Sequence, residues 1–149
     1  MSSIALSSPV SVVSPVSSRG RFALAGLGTI VAAVLANLLV YAVGSVVVGY
    51  DPRFVVLANV VGTVLFTVIP AVVAVLLYAA LLRIAGNPAR VFTGIAVVVL
   101  VLSLIPDITY IPTVPGASTG QTAVLMLMHV VAAVVIVGML TNLTRSSSR

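Results

Sequence analysis

Few side chains in this sequence can do acid–base or coordination chemistry. There is one histidine, His129, and there are two carboxylates, Asp51 and Asp107; cysteine, lysine and glutamate are absent, and seven arginines complete the charges. His129 lies in GQTAVLMLMHVVAAVVIVGMLTNL, from Gly120 to Leu143, a stretch long enough to cross a bilayer as a helix. An imidazole titrates near neutral pH, which suits proton transfer or the capture of a small ligand. An ionisable side chain in lipid is costly and as a rule has a partner, and Asp107 is the carboxylate best placed to be one.

Chemistry beyond that is poorly supported. Metal-assisted hydrolysis needs about three protein ligands, and one histidine with two distant aspartates does not supply them. Nucleophilic catalysis would pair Ser103 with His129, and no motif accompanies that pair. A haem would take His129 with Met126 or Met128, or His129 from two chains, but methionines in such helices mostly serve packing. Gly26 and Gly28 lack the strand that a dinucleotide-binding turn requires. The expectation is therefore no catalytic residue, no metal and no cofactor, with an intramembrane enzyme or haem protein as the weakest reading. Without cysteine there are no disulfides and no thiol chemistry.

The elements that would position these groups follow from composition. Of 149 residues, 61% are hydrophobic and 6% charged. Soluble domains carry about 25% charged residues, so this chain is a membrane protein with room for one folded unit. The net charge of +5 comes from arginines at the ends of apolar segments. That placement points to lipid headgroups and membrane orientation, not to nucleic acid. Residues 1–20 read as a disordered tail rich in serine and proline, without the basic start of a signal peptide. Apolar runs then predict helices over 22–49, 54–83, 88–105 and 120–143, inside a transmembrane domain of residues 21–143; residues 144–149 form a short basic tail. Pro70 is expected to free the Phe66 carbonyl and kink the second helix, with Thr63 or Thr67 available to satisfy it. Gly86-Asn87-Pro88 supplies a helix stop, an N-cap and a first-turn proline.

With four spans, both termini and the loop between the second and third helices share one side. That side holds Arg19, Arg21, Arg83, Arg90, Arg145 and Arg149; the other holds Arg53 with both aspartates. The excess of arginine predicts a cell-membrane protein with both termini cytoplasmic, which leaves the sequon at Asn142 on the cytoplasmic side.

Small and polar residues recur at helical spacing. Ala33, Asn37, Tyr41 and Gly44 share a stripe on the first helix, and Asn59, Thr63, Thr67, Pro70, Ala74 and Tyr78 on the second. Thr93, Ala96, Leu100, Ser103 and Asp107 do so on the third, and Thr122, Met126, His129 and Ala133 on the fourth. Four facing stripes predict an all-α, antiparallel four-transmembrane-helix bundle. At about 1.5 Å per residue, Tyr41, Thr63 and His129 each fall roughly 13 Å below the outer end of their helices. The candidate polar cluster is Asn37, Tyr41, Asn59, Thr63, Ser103 and His129, with Asp107 at its mouth. Two roles are open for it. In one, the cluster is a polar layer holding the bundle of a structural or accessory protein. In the other, it lines an outward-facing cavity of a carrier or binding protein for a small ligand. The partner in either case is the bilayer, with a second copy or another membrane protein as further candidates, and no nucleic acid.

The runs VAAVLANLLVYAVG, VLSLIPDI and, above all, TAVLMLMHVVAAVVIVGML resemble a family of small prokaryotic membrane proteins known as domain of unknown function 6069. The resemblance extends from about Phe22 to Leu143 and is most recognisable at Met128-His129-Val130-Val131. It implies four membrane helices and no particular activity. Arginine without lysine, with abundant valine and alanine, fits a GC-rich prokaryotic genome.

Overall fold

The computed structural model describes the backbone of residues 18–145 and the side chains of residues 20–142. The expected disorder of residues 1–17 and the end of the basic C-terminal tail lie outside the described residues, while residues 18–20, expected in that disordered tail, are the first turn of a helix. Among those described there are four α-helices: α1 (Ser18–Val47), α2 (Val60–Ile84), α3 (Pro88–Thr109) and α4 (Thr119–Arg145), with a 3-10 turn at Ile111–Thr113. All four are long and apolar enough to span a membrane, with mean hydropathies of 2.3 to 2.7 over the spans. A helix suits that setting because it satisfies its backbone within itself.

Caps define the helix ends. Asn59 accepts a hydrogen bond from the Gly62 amide at 3.1 Å, and Asn87 accepts one from the Arg90 amide at 3.2 Å, just ahead of Pro88 in the first helical position. The Ala85 amide donates back to the Leu81 carbonyl at 2.9 Å, ending α2 one short turn before α3 begins. Around the bundle α1 packs on both α2 and α4, α3 packs on α4, and the seam between α2 and α3 is the loosest of the ring.

α1 begins four residues and α4 one residue earlier than the sequence expectation, α1 ends at Val47 and α4 continues to Arg145. Two larger differences bear on the interior. Residues 54–59 are not the first turns of α2, which begins at Val60. Asp51 accepts from the Arg53 amide at 2.8 Å, Phe54 donates to the Asp51 carbonyl and Leu57 to the Phe54 carbonyl, so the chain turns tightly. That turning drives Phe54 and Leu57 into the protein, where they are 0% and 1% exposed. The second difference is α3, which runs through Pro106 to Thr109 instead of ending at Ile105. Proline removes one amide donor but tolerates the helical φ, and the Tyr110 amide closes the end on the Pro106 carbonyl at 2.8 Å.

The packed interior has two apolar clusters. At the terminus end Ala33, Ala71, Tyr78, Leu81, Phe92, Ile136 and Leu140 meet, with the Tyr78 and Phe92 rings edge-on at 4.9 Å. At the loop end Phe54, Leu57, Ile111, Val124, Leu125 and Met128 form the other. Gly116 joins the two loops over that end. Its φ of +80° is a left-handed conformation, and a Cβ there would stand 2.8 Å from the Phe54 amide nitrogen.

Replacing Phe54 with alanine is expected to cost about 3–5 kcal/mol, read as a lowered thermal midpoint in detergent. Phe66→Ala, at a position 74% exposed, should stay within about 0.5 kcal/mol of the parent. In the Tyr50–Arg53 turn, the hydrogen bonds from Arg53 hold the Asp51 carboxyl down at about 2, against an ordinary 3.8. Its contribution to the turn is therefore present above the ordinary value and lost as pH falls through the lowered one. An NMR titration of Asp51 should show the low midpoint, and Arg53→Ala should move it back up.

Candidate functional site

A groove of about 760 Å³ runs along the α2–α3 seam. Its walls include Phe66, Ile69 and Val73 of α2 and Ala96, Val99 and Leu100 of α3, and it reaches Asn37 of α1 and Leu125, Met128, His129 and Ala132 of α4. Several of the wall residues are largely exposed on the outer surface of the bundle, so the groove opens sideways, towards lipid. The buried Leu57 and Ile111 border it at the loop end and Phe92 near the terminus end. The cavity expected to face outward is therefore a lateral one.

The structure brings five of the seven expected cluster residues to this groove: Asn37, Thr63, Ser103, Asp107 and His129. Asn37 is buried on α1, and its Nδ2 donates to Thr67 Oγ1 at 2.9 Å. Thr67 in turn donates to the Thr63 carbonyl at 2.8 Å, so its oxygen is free only to accept, and Asn37 must present its amide nitrogen there. This leaves Asn37 Oδ1 buried without a partner, and the Thr63 hydroxyl is in the same position. The Thr67 hydroxyl is thus turned to its own helix at Thr63 and not to the Phe66 carbonyl freed by Pro70. Ser103 likewise donates to the Leu100 carbonyl at 2.7 Å.

Tyr41 and Asn59 do not join them. Tyr41 donates to the Leu57 carbonyl at 3.1 Å, and its own carbonyl accepts from the Tyr50 hydroxyl at 2.8 Å, the two rings lying 5.0 Å apart. It ties α1 to the loop instead of lining the groove. Asn59 is the exposed cap of α2, a consequence of the helix beginning after it.

Asp107 also sits differently from expectation. Because α3 continues past Pro106, Asp107 is carried on the last helical turns, 5% exposed, and faces His129. Its Oδ2 lies 3.2 Å from His129 Nδ1. That nitrogen is nearer the Leu125 carbonyl, at 2.9 Å, and a carbonyl can only accept, so Nδ1 carries a proton directed at it. Asp107 Oδ2 is left buried with no hydrogen bond of its own, its one polar neighbour being the Nδ1 proton that points mainly at Leu125. In the neutral ring Nε2 is a further acceptor. The His129 side chain keeps 38% of its surface accessible, against 7% for Asp107. Its offset arises because the buried stripe of α4 is Gln121, Leu125, Met128, Ile136 and Leu140, which leaves His129 on its edge. Gln121 was missed in the sequence. It is 4% exposed, donates to the Gly116 carbonyl at 3.2 Å, and lies four residues before Leu125 on that stripe, the spacing that could have revealed it.

A second cavity, of about 530 Å³, lies at the loop end between α3 and α4, lined by Asp107, Ile108, Pro112, Ala117, Ser118, Thr119 and Thr122. Asp107 therefore borders both cavities. Among the described residues no three histidine, aspartate or glutamate side chains converge as a metal would require.

Four apolar helices in one bundle make this a multi-pass membrane protein. The chain belongs to a family of unknown function, DUF6069, whose model matches residues 17–146 and so takes in every helix and the stretch around His129. No curated protein and no solved structure matches it.

Asn37→Ala removes the bond between α1 and α2 and is expected to cost about 0.6 kcal/mol, and at most about 1.7. Ser103→Ala, whose hydroxyl serves its own helix, should change stability by less than about 0.5 kcal/mol. Unfolding of the two variants in mixed micelles measures the difference.

Proposed function

We propose that this chain is a membrane-embedded binding protein for a small, largely apolar molecule that enters from the bilayer between α2 and α3 and offers hydrogen-bond donors to the groove. The observation that carries this reading is that three of the four buried side-chain oxygens without a hydrogen bond among the described residues, on Asn37, Thr63 and Asp107, surround one cavity, the fourth being Gln121 Oε1. Buried polar atoms are almost always hydrogen-bonded in native proteins, so such a set favours an external partner. The volume also falls in the range of about 300–1,000 Å³ typical of ligand pockets, as does an apolar lining with few polar groups.

The alternative, a structural protein held together by a polar layer, draws support from the Asn37–Thr67 bond. Against it, the hydroxyls of Thr29, Thr93, Ser103 and Thr109 return to carbonyls three or four residues back on their own helices. Groups that bond within a helix do little to join one helix to another. No catalytic step is assigned to the site.

The arginines orient the protein within this proposal. Arg21, Arg83 and Arg90 lie at the terminus end and Arg53 at the loop end, which by the positive-inside rule makes the terminus end cytoplasmic. The chain has no cysteine, so single ones can be introduced cleanly. Ala117→Cys should react with an impermeant maleimide in intact cells, and Gly86→Cys only after permeabilisation; the reverse pattern would invert the orientation. For binding, native mass spectrometry of protein released from membranes should show a retained small molecule. Ala96→Trp, which fills the middle of the groove, should lower its occupancy by about ten-fold, equivalent to about 1.4 kcal/mol. An empty parent protein, or equal occupancy in the variant, would overturn the reading.

A further inference from the structure

Resting on that reading, we propose that the ligand is a single-chain amphiphile with a protonated amine head. The ammonium sits against Asp107 and His129, and the chain lies along the α2–α3 walls.

The polar atoms offered to the groove accept hydrogen bonds. Asn37 Oδ1 can do nothing else, Asp107 Oδ2 accepts as a carboxylate, His129 Nε2 is an acceptor once Nδ1–H is given to Leu125, and the Thr63 hydroxyl can do so as well. An ammonium is the complementary group, with three donors and no acceptor. Charge points the same way. Among the described residues Asp107 and His129 are the only titratable side chains lining either cavity, since α1 and α2 contribute Asn37, Thr63 and Thr67 there and the loop end contributes the hydroxyls of Ser118, Thr119 and Thr122. Among the described residues no arginine reaches the carboxylate, and the imidazole Nδ1, 3.2 Å from it, is closer to the Leu125 carbonyl at 2.9 Å. A carboxylate inside a membrane protein requires a partner, and a cationic ligand supplies one.

The two cavities divide the ligand into its parts. The groove is apolar along α3 from Phe92 to Leu100 and polar towards Asp107, a length of about 22 Å from Phe92 to Asp107 at 1.5 Å per residue. The second cavity meets Asp107 from the loop end and carries the hydroxyls of Ser118, Thr119 and Thr122. It gives the charged head a polar approach, while the chain stays against lipid-facing walls. Asp107 is the wall common to both, which makes it the seat of the head.

The test is equilibrium binding of radiolabelled dodecylamine to the full-length protein in phosphatidylcholine nanodiscs, at a pH where the amine is protonated and with partition into empty discs subtracted. Dodecanol and dodecyltrimethylammonium serve as comparison probes. The amine should bind saturably and at least about ten-fold tighter than dodecanol, which has one donor and no charge. The quaternary probe has the charge without an N–H and should fall well below the amine. Asp107→Asn should abolish the preference for amine over alcohol, with dodecanol binding in that variant reporting an intact groove. Equal affinities of amine and alcohol in the parent protein would overturn the ammonium assignment and leave the groove as a binding site. Saturable binding by none of the three probes would overturn both. A preference that survives Asp107→Asn would remove Asp107 as the seat. The comparison on the parent chain stands whether or not the variant folds.

Discussion

Lipid removes the usual reason for apolar helices to associate. A leucine against an acyl chain is as well off as a leucine against another helix, so close fit and polar atoms decide which faces meet. The rest of the structure follows from that constraint. Large aliphatic side chains such as Leu39, Leu76 and Val97 are exposed, while the buried face of α1 is made of Gly26, Thr29, Ala33, Asn37 and Gly44. Small residues let α1 lie close to both neighbours. The α2–α3 seam has bulkier walls, and it is there that space remains. A bundle made by fit is therefore uneven by nature, tight where side chains are small and open where they are not.

The same constraint accounts for what could be read in advance. The four spans were legible because long apolar runs between Asn, Gly and Pro signals admit few alternatives. The α1 stripe was legible because a helical period of small and polar residues has few other causes. Three features were not. Phe54 to Asn59 continues the apolar run without a break, and only the turn set up by Asp51 and Phe54 shows that the chain is folding inward rather than winding into α2. Pro106 looked like a helix end, because nothing local says that α3 can pass through it with its last carbonyls capped. On α4 almost every residue is apolar, so periodicity could not separate the true buried stripe from one a residue away, and His129 was placed at the centre of a face whose edge it occupies. In each case the missing information was tertiary.

The polar residues of the bundle divide into two populations by where their hydrogen bonds go. One set is closed, each hydroxyl donating to a carbonyl of its own helix. The other set is open: oxygens on α1, α2 and α3 meet around one space with a histidine from α4 beside them, and Gln121 Oε1 on α4 lies apart from it. The difference between them is invisible at the level of residue type, since threonines occur in both: Thr67 is closed and Thr63 is open. A count of polar residues in a membrane helix thus says little about function until each hydrogen bond has been assigned.

The edge-on contact of Tyr78 with Phe92 lies close to the short turn that joins α2 to α3. The two helices are thereby pinned together at one end and bordered by loop side chains at the other, in the manner of tweezers. Displacement about such a pivot grows with distance from it, so the gap would widen most beside Asp107 and least beside Phe92. A tapered opening sorts occupants by shape: a wide group fits only at the far end and a slender one along the whole length.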